Sequence, residues 1–558
     1  MKGYTDIHCH SVMMHYRNPE LNKTACEEIN KMGISDALRS SNTQSDFGKL
    51  VNGGVGGIII SLYPIERKWL LPETDAPRLI AELVSRVTGF SINEVKRLMK
   101  EEEQGVINYY KDLVGEYNYL QTQVNKTCNG KQIIIASNYA EFEENNKNSD
   151  KVCIVISIEG GHALGTILPD DLTKKPELVQ IEDYHNKYRD NVFAMKKWGP
   201  NNDGSHTPLF ITLGHHFWNM LVGHSESLPF LFDQKTGKES GFTDAGREMM
   251  NDLLSSDDEY GNPNKTRSVL IDVKHMSPLA RKQYYNHIDR IKRTSGLNIP
   301  VICSHASVGD ADLLNWFIEG TKEYNEKKKY LRQFRNFFNT STLSLNNEDV
   351  IRIIESDGLI GIILHEGRIA HKKAREKKAY GVTFLQNEIK NNRNDIERMQ
   401  AKLQTDISEN RKKTLTRKIK NRHQNILDAQ QKIREAFVSM IMANIYKIVE
   451  VYANYNSGDK ARGWNHIAIG SDFDGTINKM DYLGTAEEFP ILEEEIIKFM
   501  KKPRPLKGFN EKWTPSYLKT LHFEKSPEVL AGKFMSSNTE DFLRKYFTED
   551  YLINGINP

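Results

Sequence analysis

Cysteine is scarce in this chain. Its 558 residues include five cysteines, and no two of them form a CxxC pair. An odd and scattered set of this kind is not typical of a disulfide framework and indicates a reducing compartment. Residues 1–6 lead directly into a strand-like segment without an apolar signal region. We therefore expect a cytoplasmic protein.

Long apolar runs and an excess of one charge are also lacking. No stretch of about 18 uncharged apolar residues is present, so we expect no transmembrane helix. The 76 basic and 74 acidic residues leave a formal net charge of +2. This balance does not favour nucleic acid or an acidic membrane surface as a partner. The length exceeds that of a usual single domain and is sufficient for a large core.

Short apolar runs recur along the chain. Because they are continuous rather than alternating, they predict parallel strands covered on both faces. The runs are 3–8, 55–62, 152–158, 208–213, 268–273, 299–303, 359–364 and 466–470. Helical patterns between them, such as 243–254, predict an α/β fold, a (β/α)8 barrel of the TIM type. The competing architecture is an open doubly wound sheet, which would concentrate its site at one switch point.

Three stretches are too long to be plain connections. Residues 65–132 and 310–347 are predicted to be helical or loop insertions in the barrel. Residues 370–455 carry apolar side chains at helical spacing in a charged background, which predicts a long helical hairpin before the eighth strand. We predict a barrel domain over 1–369 and 456–558, with the hairpin as an insertion. Two interpretations stay open for this hairpin: a solvated element, or an arm through which the chain forms a homo-oligomer.

Candidate metal ligands occur where several predicted strands end. His8 and His10 close the first strand and, two apart in an extended chain, face the same way. Glu159 closes the third strand, and its carboxylate can bridge two cations. His275 and His305 follow two consecutive strands. Nitrogen and oxygen donors without a thiolate suit zinc, so these residues predict a site for two divalent ions, best fitted by Zn²⁺.

Other polar residues at strand ends suggest catalytic roles. His215 comes first after the fourth strand and could donate a hydrogen bond to a developing oxyanion, whereas His216 is equally well a loop residue. Asp472 closes the eighth strand and is the candidate proton shuttle. Its rival Asp474 could simply cap a turn. His162 is expected to hold a metal ligand or a neighbouring group rather than bind metal.

Taken in order, these motifs resemble the membrane (renal) dipeptidase family of the amidohydrolase superfamily. The matching segments are 53–57, 158–164, 241–248, 270–277, 300–307, 470–475 and 532–534. The resemblance implies a dinuclear zinc (β/α)8 hydrolase that cleaves dipeptides with a free C-terminal carboxylate. It also implies that Asp472 is the acid/base and that His215 polarises the scissile carbonyl or binds the tetrahedral intermediate. The family holds its substrate with an Arg after the sixth strand, and Arg335 is the candidate here.

The resemblance also implies how the metals are held. Glu159 would bridge them, His8 and the residue two after it would hold one ion, and His275 and His305 would hold the other. The family usually has a His-x-Asp motif at the end of the first strand. This chain has His8-Cys9-His10 there, so His10 takes the place of the aspartate. A neutral ligand in place of an anion leaves the site one charge more positive. This should lower the pKa of a bridging water and weaken retention of the first metal.

The leading hypothesis from the sequence is a dinuclear metallopeptidase that cleaves dipeptides by attack of a metal-bridging hydroxide. Its expected partner is a small peptide or amide substrate. A second hypothesis keeps the metals but changes the substrate to another amide, a lactam, an ester or a phosphoester. A third hypothesis is a scaffold with a degenerate site, which binds partners through the helical insertion.

Overall fold

The computed structural model describes most of the chain. The described residues are 3–31, 41–70, 81–82, 84–85, 88–103, 105–148, 150–227, 234–319, 321–323, 337–339, 341–376, 381–405, 408–475, 478–506 and 508–554.

The central sheet has ten strands in the described part of the chain, and eight parallel strands of this sheet form the barrel. They are β1 Tyr4–Cys9, β2 Val55–Leu62, β3 Lys151–Glu159, β4 Phe210–Thr212, β5 Leu270–Asp272, β6 Ile302–Ala306, β7 Leu359–Ile362 and β8 Ile467–Ile469. Each strand pairs with the next one in sequence order. Their side chains are buried almost throughout, as expected for strands covered on both faces.

The two edges of the sheet meet at the carboxyl ends of β1 and β8. The backbone N–H of Asp472 donates to the carbonyl of His8 at 3.0 Å, and that of His10 donates to the carbonyl of Phe473 at 2.8 Å. The sheet is therefore nearly closed into a barrel. The predicted (β/α)8 fold is confirmed, and the open doubly wound alternative is wrong.

Short strands and helices surround this barrel. The additional strands are Asn30–Lys31, Ser41–Asn42, Ile107–Asn108, Thr127–Cys128, Lys131–Ile135 and Thr166–Ile167. The α-helices are Met13–Tyr16, Phe47–Asn52, Ile92–Glu103, Tyr109–Gln123, Tyr139–Asn146, Ile181–Lys187, Arg189–Lys196, Asp244–Leu254, Pro278–Ser295, Asn347–Glu355, Lys372–Glu376, Val382–Leu403, Glu409–Tyr455, Phe489–Lys501, Pro515–Thr520, Pro527–Gly532 and Asn538–Tyr546.

The helix predicted over 243–254 shows how local sequence sets an element. Thr243 is its N-cap, and the Thr243 hydroxyl accepts a hydrogen bond from the backbone N–H of Gly246 at 3.0 Å. This satisfies one of the N–H groups that the first helical turn leaves unpaired. Met249 and Leu253 then turn towards the core.

The insertion after β2 is fixed to the barrel by buried ion pairs. An Arg67 guanidinium nitrogen donates to Asp112 at 2.6 Å, and one of Arg17 donates to Glu94 at 2.7 Å. Arg17, which also lies 3.7 Å from Asp112, joins the segment after β1 to the helices Ile92–Glu103 and Tyr109–Gln123, whereas Arg67 joins two parts of the insertion.

The predicted helical hairpin is present as the helical arm, which consists of Val382–Leu403 and Glu409–Tyr455 packed against each other. Its second helix is not uniformly solvated. Leu427 is 56% exposed, but Phe437 and most residues from 436 to 452 are buried. The interpretation of a solvated hairpin is therefore wrong for the C-terminal half of this helix, which belongs to the core.

The buried half of the helical arm also contacts the barrel mouth. Asn444 accepts a hydrogen bond from the backbone N–H of Val308 at 2.8 Å and donates one to the carbonyl of Ile369 at 2.9 Å. Among the described helices, Glu409–Tyr455 is the one long and apolar enough to cross a membrane, but 83% of its most apolar window is buried inside the protein. A buried core helix can have the same length and apolar composition as a membrane-spanning helix.

One disulfide bond is present. Cys26 and Cys128 form it across a sequence separation of 102 residues, whereas Cys9, Cys153 and Cys303 are free and buried. A single bond is not a disulfide framework, but it removes the support that the cysteine pattern gave to a reducing compartment. The cytoplasmic location stays a prediction.

Candidate metal centre

The carboxyl ends of the barrel strands bring the predicted site residues together. Each of them is buried, with at most 8% of its surface exposed. The converging residues are His8 in β1, His10 directly after β1, Glu159 in β3, His215 after β4, His275 after β5, His305 in β6 and Asp472 after β8.

The Glu159 carboxylate lies at the centre of this cluster. His10 Nε2 is 3.1 Å from Glu159 Oε2. Four more imidazole nitrogens surround the other carboxylate oxygen: the distances to Oε1 are 3.5 Å from Nε2 of His8, 3.5 Å from that of His215, 3.6 Å from that of His275 and 3.5 Å from that of His305. Imidazoles from four strands or their ends therefore meet at one carboxylate, which a fifth strand carries.

The backbone is strained where two of these side chains enter the site. His275 has φ 65° and Asp472 has φ 61°, in the left-handed region that disfavours residues with a Cβ. Gly160, directly after Glu159, has φ 91°, and a Cβ there would lie 2.2 Å from His162 Cε1. The chain therefore turns sharply beside the carboxylate at a position that requires glycine.

The cluster fits a pair of divalent ions. His8, His10 and Glu159 form one group whose ligand atoms all lie within 4.8 Å of one another, and Glu159, His275 and His305 form a second. Both ring nitrogens of His8 and of His10 are buried without a hydrogen-bond partner. Ligand atoms around a tetrahedral zinc ion lie about 3.3 Å apart, close to the separations around Glu159. Buried nitrogens at this spacing are consistent with a binuclear metal site.

Two further carboxylates, which the sequence analysis missed, hold the strand ends in place. Asp6 accepts hydrogen bonds from the backbone N–H groups of His8 at 3.1 Å and Ser471 at 3.0 Å, and so ties β1 to β8. Asp272 accepts from the Thr212 hydroxyl at 2.7 Å and from the Ser304 backbone N–H at 3.1 Å. Each acid precedes a ligand histidine by two or three residues, and this spacing was the available signal.

Glu66 is the main site residue that strand-end reasoning missed, because it lies four residues beyond β2. Its carboxylate accepts a hydrogen bond from His215 Nδ1 at 2.7 Å and another from the backbone N–H of Phe217 at 2.9 Å. Burial disfavours charge on His215, but Glu66 and Glu159 outweigh it and raise the pKa of His215 to about 10. Burial also opposes the charge on Glu66, yet His215 lowers the pKa of Glu66 to about 2. The two groups form a buried ion pair.

The pKa of the Asp472 carboxyl is raised, in contrast to the lowered pKa of Glu66. Burial and the nearby negative charge of Glu159 raise the pKa of its carboxyl to about 8, against the opposing effects of His10 and Lys274. Its Oδ1 lies 3.7 Å from His10 Nε2 and 3.9 Å from His8 Nε2. A carboxyl group in this position can exchange a proton near neutral pH.

The remaining candidates have structural partners. The oxygens of Asp474 accept hydrogen bonds from the backbone N–H groups of residues 44 and 45, so Asp474 anchors that loop. His162 Nε2 donates to the carbonyl of Pro64 at 2.7 Å and fixes the segment that carries Glu66. His216 Nδ1 lies 2.7 Å from the Ser227 hydroxyl. Arg335 lies outside the described residues.

No model of a known protein family matches the chain. No curated protein matches it in sequence. Its structure is similar over nearly the full length to solved structures of dipeptidases and a metallo peptidase. These include dipeptidase AC, a metallo peptidase of family M19, with 13% identity, coverage of 98% of both chains and a TM-score of 0.42. A metallo peptidase from Rhodobacter sphaeroides, liganded with a phosphinate mimic of the dipeptide L-Ala-D-Ala, has 13% identity, coverage of 98% of this chain and 99% of that chain, and a TM-score of 0.44. The probable dipeptidase PvdM from Pseudomonas aeruginosa has 14% identity, coverage of 96% and 98%, and a TM-score of 0.43.

Proposed function

We propose that this protein is a metal-dependent hydrolase that cleaves the peptide bond of dipeptides, of the membrane dipeptidase type. The observation that carries the proposal is the pair of donor groups that share Glu159: His8 with His10, and His275 with His305. A carboxylate common to two sets of imidazoles is the arrangement that holds two cations side by side. We infer zinc because the donors are nitrogen and oxygen without a thiolate.

Bound metal would supply a Lewis acid for the scissile carbonyl and lower the pKa of a water molecule. The protein's own contribution to proton transfer is Asp472. Its carboxylate accepts a proton from the attacking water, and the resulting acid donates that proton to the leaving amine. Asp472 is placed for this transfer, because its Oδ1 lies 3.7 Å from His10 Nε2 and 3.9 Å from His8 Nε2, beside the residues that would hold one metal.

His215 stabilises the negative charge that develops on the carbonyl oxygen. Glu66 binds its Nδ1 and keeps the ring protonated, so Nε2 carries a hydrogen. This Nε2 points into the cluster, 3.5 Å from Glu159 Oε1. A donor fixed in orientation before the reaction stabilises an oxyanion without a cost of reorganisation.

A metal analysis combined with a substrate panel tests the proposal. We expect two zinc ions per chain and hydrolysis of dipeptides in preference to cyclic amides and phosphoesters. Asp472→Asn should fold and retain metal but lose turnover about 10²–10⁴-fold, because proton transfer is removed. Glu159→Gln should lose metal and activity together.

The matched control is Asp474→Asn, which removes an equally buried carboxylate two residues away. Since Asp474 accepts hydrogen bonds from residues 44 and 45 of a neighbouring loop, this variant should be less stable but retain turnover per folded molecule. Full turnover of Asp472→Asn would contradict the role of Asp472, and two ions bound to Glu159→Gln would contradict the shared ligand. Hydrolysis confined to cyclic amides or phosphoesters would overturn the dipeptide assignment.

A further inference from the structure

Three arginines line one cavity on the outer wall of the barrel. The helices Asp244–Leu254 and Pro278–Ser295, which follow β4 and β5, leave a cavity of about 400 Å³ between them. Arg247 of the first helix and Arg290 and Arg293 of the second lie along it. Within the described part of the chain, no carboxylate lines this cavity, and none lies within 4.0 Å of the three guanidinium groups. We call it the arginine groove.

Helical spacing brings these side chains to one place. Residues three or four positions apart lie on the same face of a helix, and His287, Arg290 and Arg293 follow one another at intervals of three. The core-facing side of this helix carries other residues, such as Tyr284 and Ile288. The Gln283 side-chain oxygen accepts a hydrogen bond from the backbone N–H of Phe242 at 2.8 Å, which fixes the start of the first helix beside the second. The groove is therefore part of the fold.

His287 adds an unused hydrogen-bond donor to the groove. An Arg290 guanidinium nitrogen donates to His287 Nδ1 at 3.1 Å, so the neutral ring carries its hydrogen on Nε2. This Nε2 is buried and, among the described residues, has no hydrogen-bond partner. Burial and the charges of Arg290 and Arg247 lower the pKa of His287 to about 4, so the ring is neutral at pH 7. An anion in the groove would accept the hydrogen bond that Nε2 lacks.

The charge and size of the groove indicate what kind of anion fits. The chain as a whole is nearly balanced, with a formal net charge of +2, so the groove is not part of a generally basic molecule of the kind that binds nucleic acid. A cavity of about 400 Å³ suits a small molecule. Each phosphate group carries one to two negative charges and accepts paired hydrogen bonds from a guanidinium. Two phosphate groups would therefore balance the three arginines.

We propose that the arginine groove binds a diphosphate group, either free or carried by a small organic molecule. The site is separate from the metal centre. Because β5 and β6 are parallel, the helix between them runs from the carboxyl ends of the strands back towards their amino ends. His287 lies nine residues into this helix, about 14 Å along its axis. The inference therefore does not rest on the proposed function.

Calorimetry on the metal-loaded protein in phosphate-free buffer tests the ligand class. The probes are inorganic diphosphate, adenosine diphosphate and citrate, which carries three carboxylates. We expect both diphosphates to bind at least about 10-fold more tightly than citrate. An affinity for adenosine diphosphate equal to or above that for the inorganic ion would identify an organic diphosphate as the ligand, and a lower one would identify the free ion. Citrate bound as tightly as either diphosphate would overturn the assignment to phosphate.

Variants locate the bound diphosphate. Arg247→Met and Arg290→Met should each weaken binding roughly 10–100-fold, and the double variant should lose it. Diphosphate that binds at the metal centre remains in the double variant, so the binding that is lost belongs to the groove. Turnover and metal content should not change, and the melting temperature without ligand should not fall, because both arginines are exposed and lack a carboxylate partner.

The matched control is Arg544→Met, on the helix Asn538–Tyr546. Arg544 is also an exposed helical arginine, but its guanidinium donates to Asp541. This variant should leave the affinity for diphosphate unchanged. Full retention of diphosphate binding by the double variant would overturn the inference, and so would the absence of binding to the unaltered protein.

A titration of His287 by NMR gives a readout that binding at the metal centre would not change. A nearby anion favours the protonated ring, so diphosphate should raise the pKa of His287 from about 4 towards its ordinary value of about 6.5. The variant His287→Asn identifies the signal by its disappearance. A pKa of His287 that does not respond to diphosphate would place the ligand elsewhere and overturn the inference.

Discussion

Replacing Glu66 by Gln removes the charge that keeps His215 protonated. The Glu66 carboxylate lies 2.7 Å from His215 Nδ1, and both side chains are about 4% exposed. Glutamine has nearly the same shape and still accepts a hydrogen bond, so the main change is electrostatic. The variant therefore tests whether His215 is a cation because of Glu66.

The expected change follows from Coulomb's law. Two unit charges about 4 Å apart at an effective dielectric constant of about 20 interact with about 4 kcal/mol, which corresponds to about 3 pKa units. The pKa of His215 should therefore fall from about 10 to roughly 7. Glu159 and burial remain, so the change isolates the contribution of Glu66.

The contribution of this ion pair to the free energy of unfolding should fall as pH rises. The pKa of His215 is raised above its unfolded value of about 6.5, so the pair's stabilisation is fully present below pH of about 6.5 and is lost as pH rises towards 10. In this window the folded form binds one more proton than the unfolded form, which gives a loss of about 1.4 kcal/mol per pH unit. In Glu66→Gln this decline should end near pH 7.

The measurement is a pH titration of histidine ring signals by NMR on metal-free, isotope-labelled protein. His215→Asn identifies the signal by its disappearance. Glu116→Gln is the matched control, since Glu116 is equally buried but contacts the backbone N–H of Tyr63 instead of His215. A pKa of His215 that stays above 9 in Glu66→Gln would refute the reasoning.

Two further predictions concern stability. Phe437→Ala should lower the free energy of unfolding by about 3–5 kcal/mol, because Phe437 is fully buried in the helical arm. The control Leu427→Ala, at a 56% exposed position, should change this free energy by less than about 0.5 kcal/mol. Equal effects of the two substitutions in urea unfolding would contradict the assignment of this half of the helix to the core. Reduction of the Cys26–Cys128 bond should lower the free energy of unfolding by about 4–5 kcal/mol in the loop-entropy description, because it releases a loop of about 100 residues. The control is the double variant Cys26→Ser, Cys128→Ser, which lacks the bond. An unfolding midpoint of the unaltered protein that does not change with reductant would argue against the bond.

Apolar patterns in the sequence predicted the barrel well because they report burial. Strand β2 has the bounds that its run of eight residues indicated. Strand β6 was displaced: residues 299–301 are buried, but pairing starts at Ile302 and continues to Ala306. An apolar run shows which residues leave water and does not show where hydrogen-bonded pairing begins, least of all beside Pro300, which has no N–H to donate.

The site was predictable where a side chain belongs to a strand end and unpredictable where a loop folds back. The histidines of β1 and β6 and Glu159 follow the alternation of extended chain. Glu66 reaches His215 only because the segment after β2 turns over the mouth of the barrel. The Cys26–Cys128 bond likewise depends on two distant segments that meet only in the folded chain.

The length of the helical arm has a mechanical consequence. A continuous helix of 47 residues is about 70 Å long, and its last turns are clamped in the core while its first turns project outward. Asn444, within the clamped half, holds both the loop after β6 and the loop after β7. A rotation or bend of the helix at its distal end would therefore act, through Asn444, on the loops that follow β6 and β7.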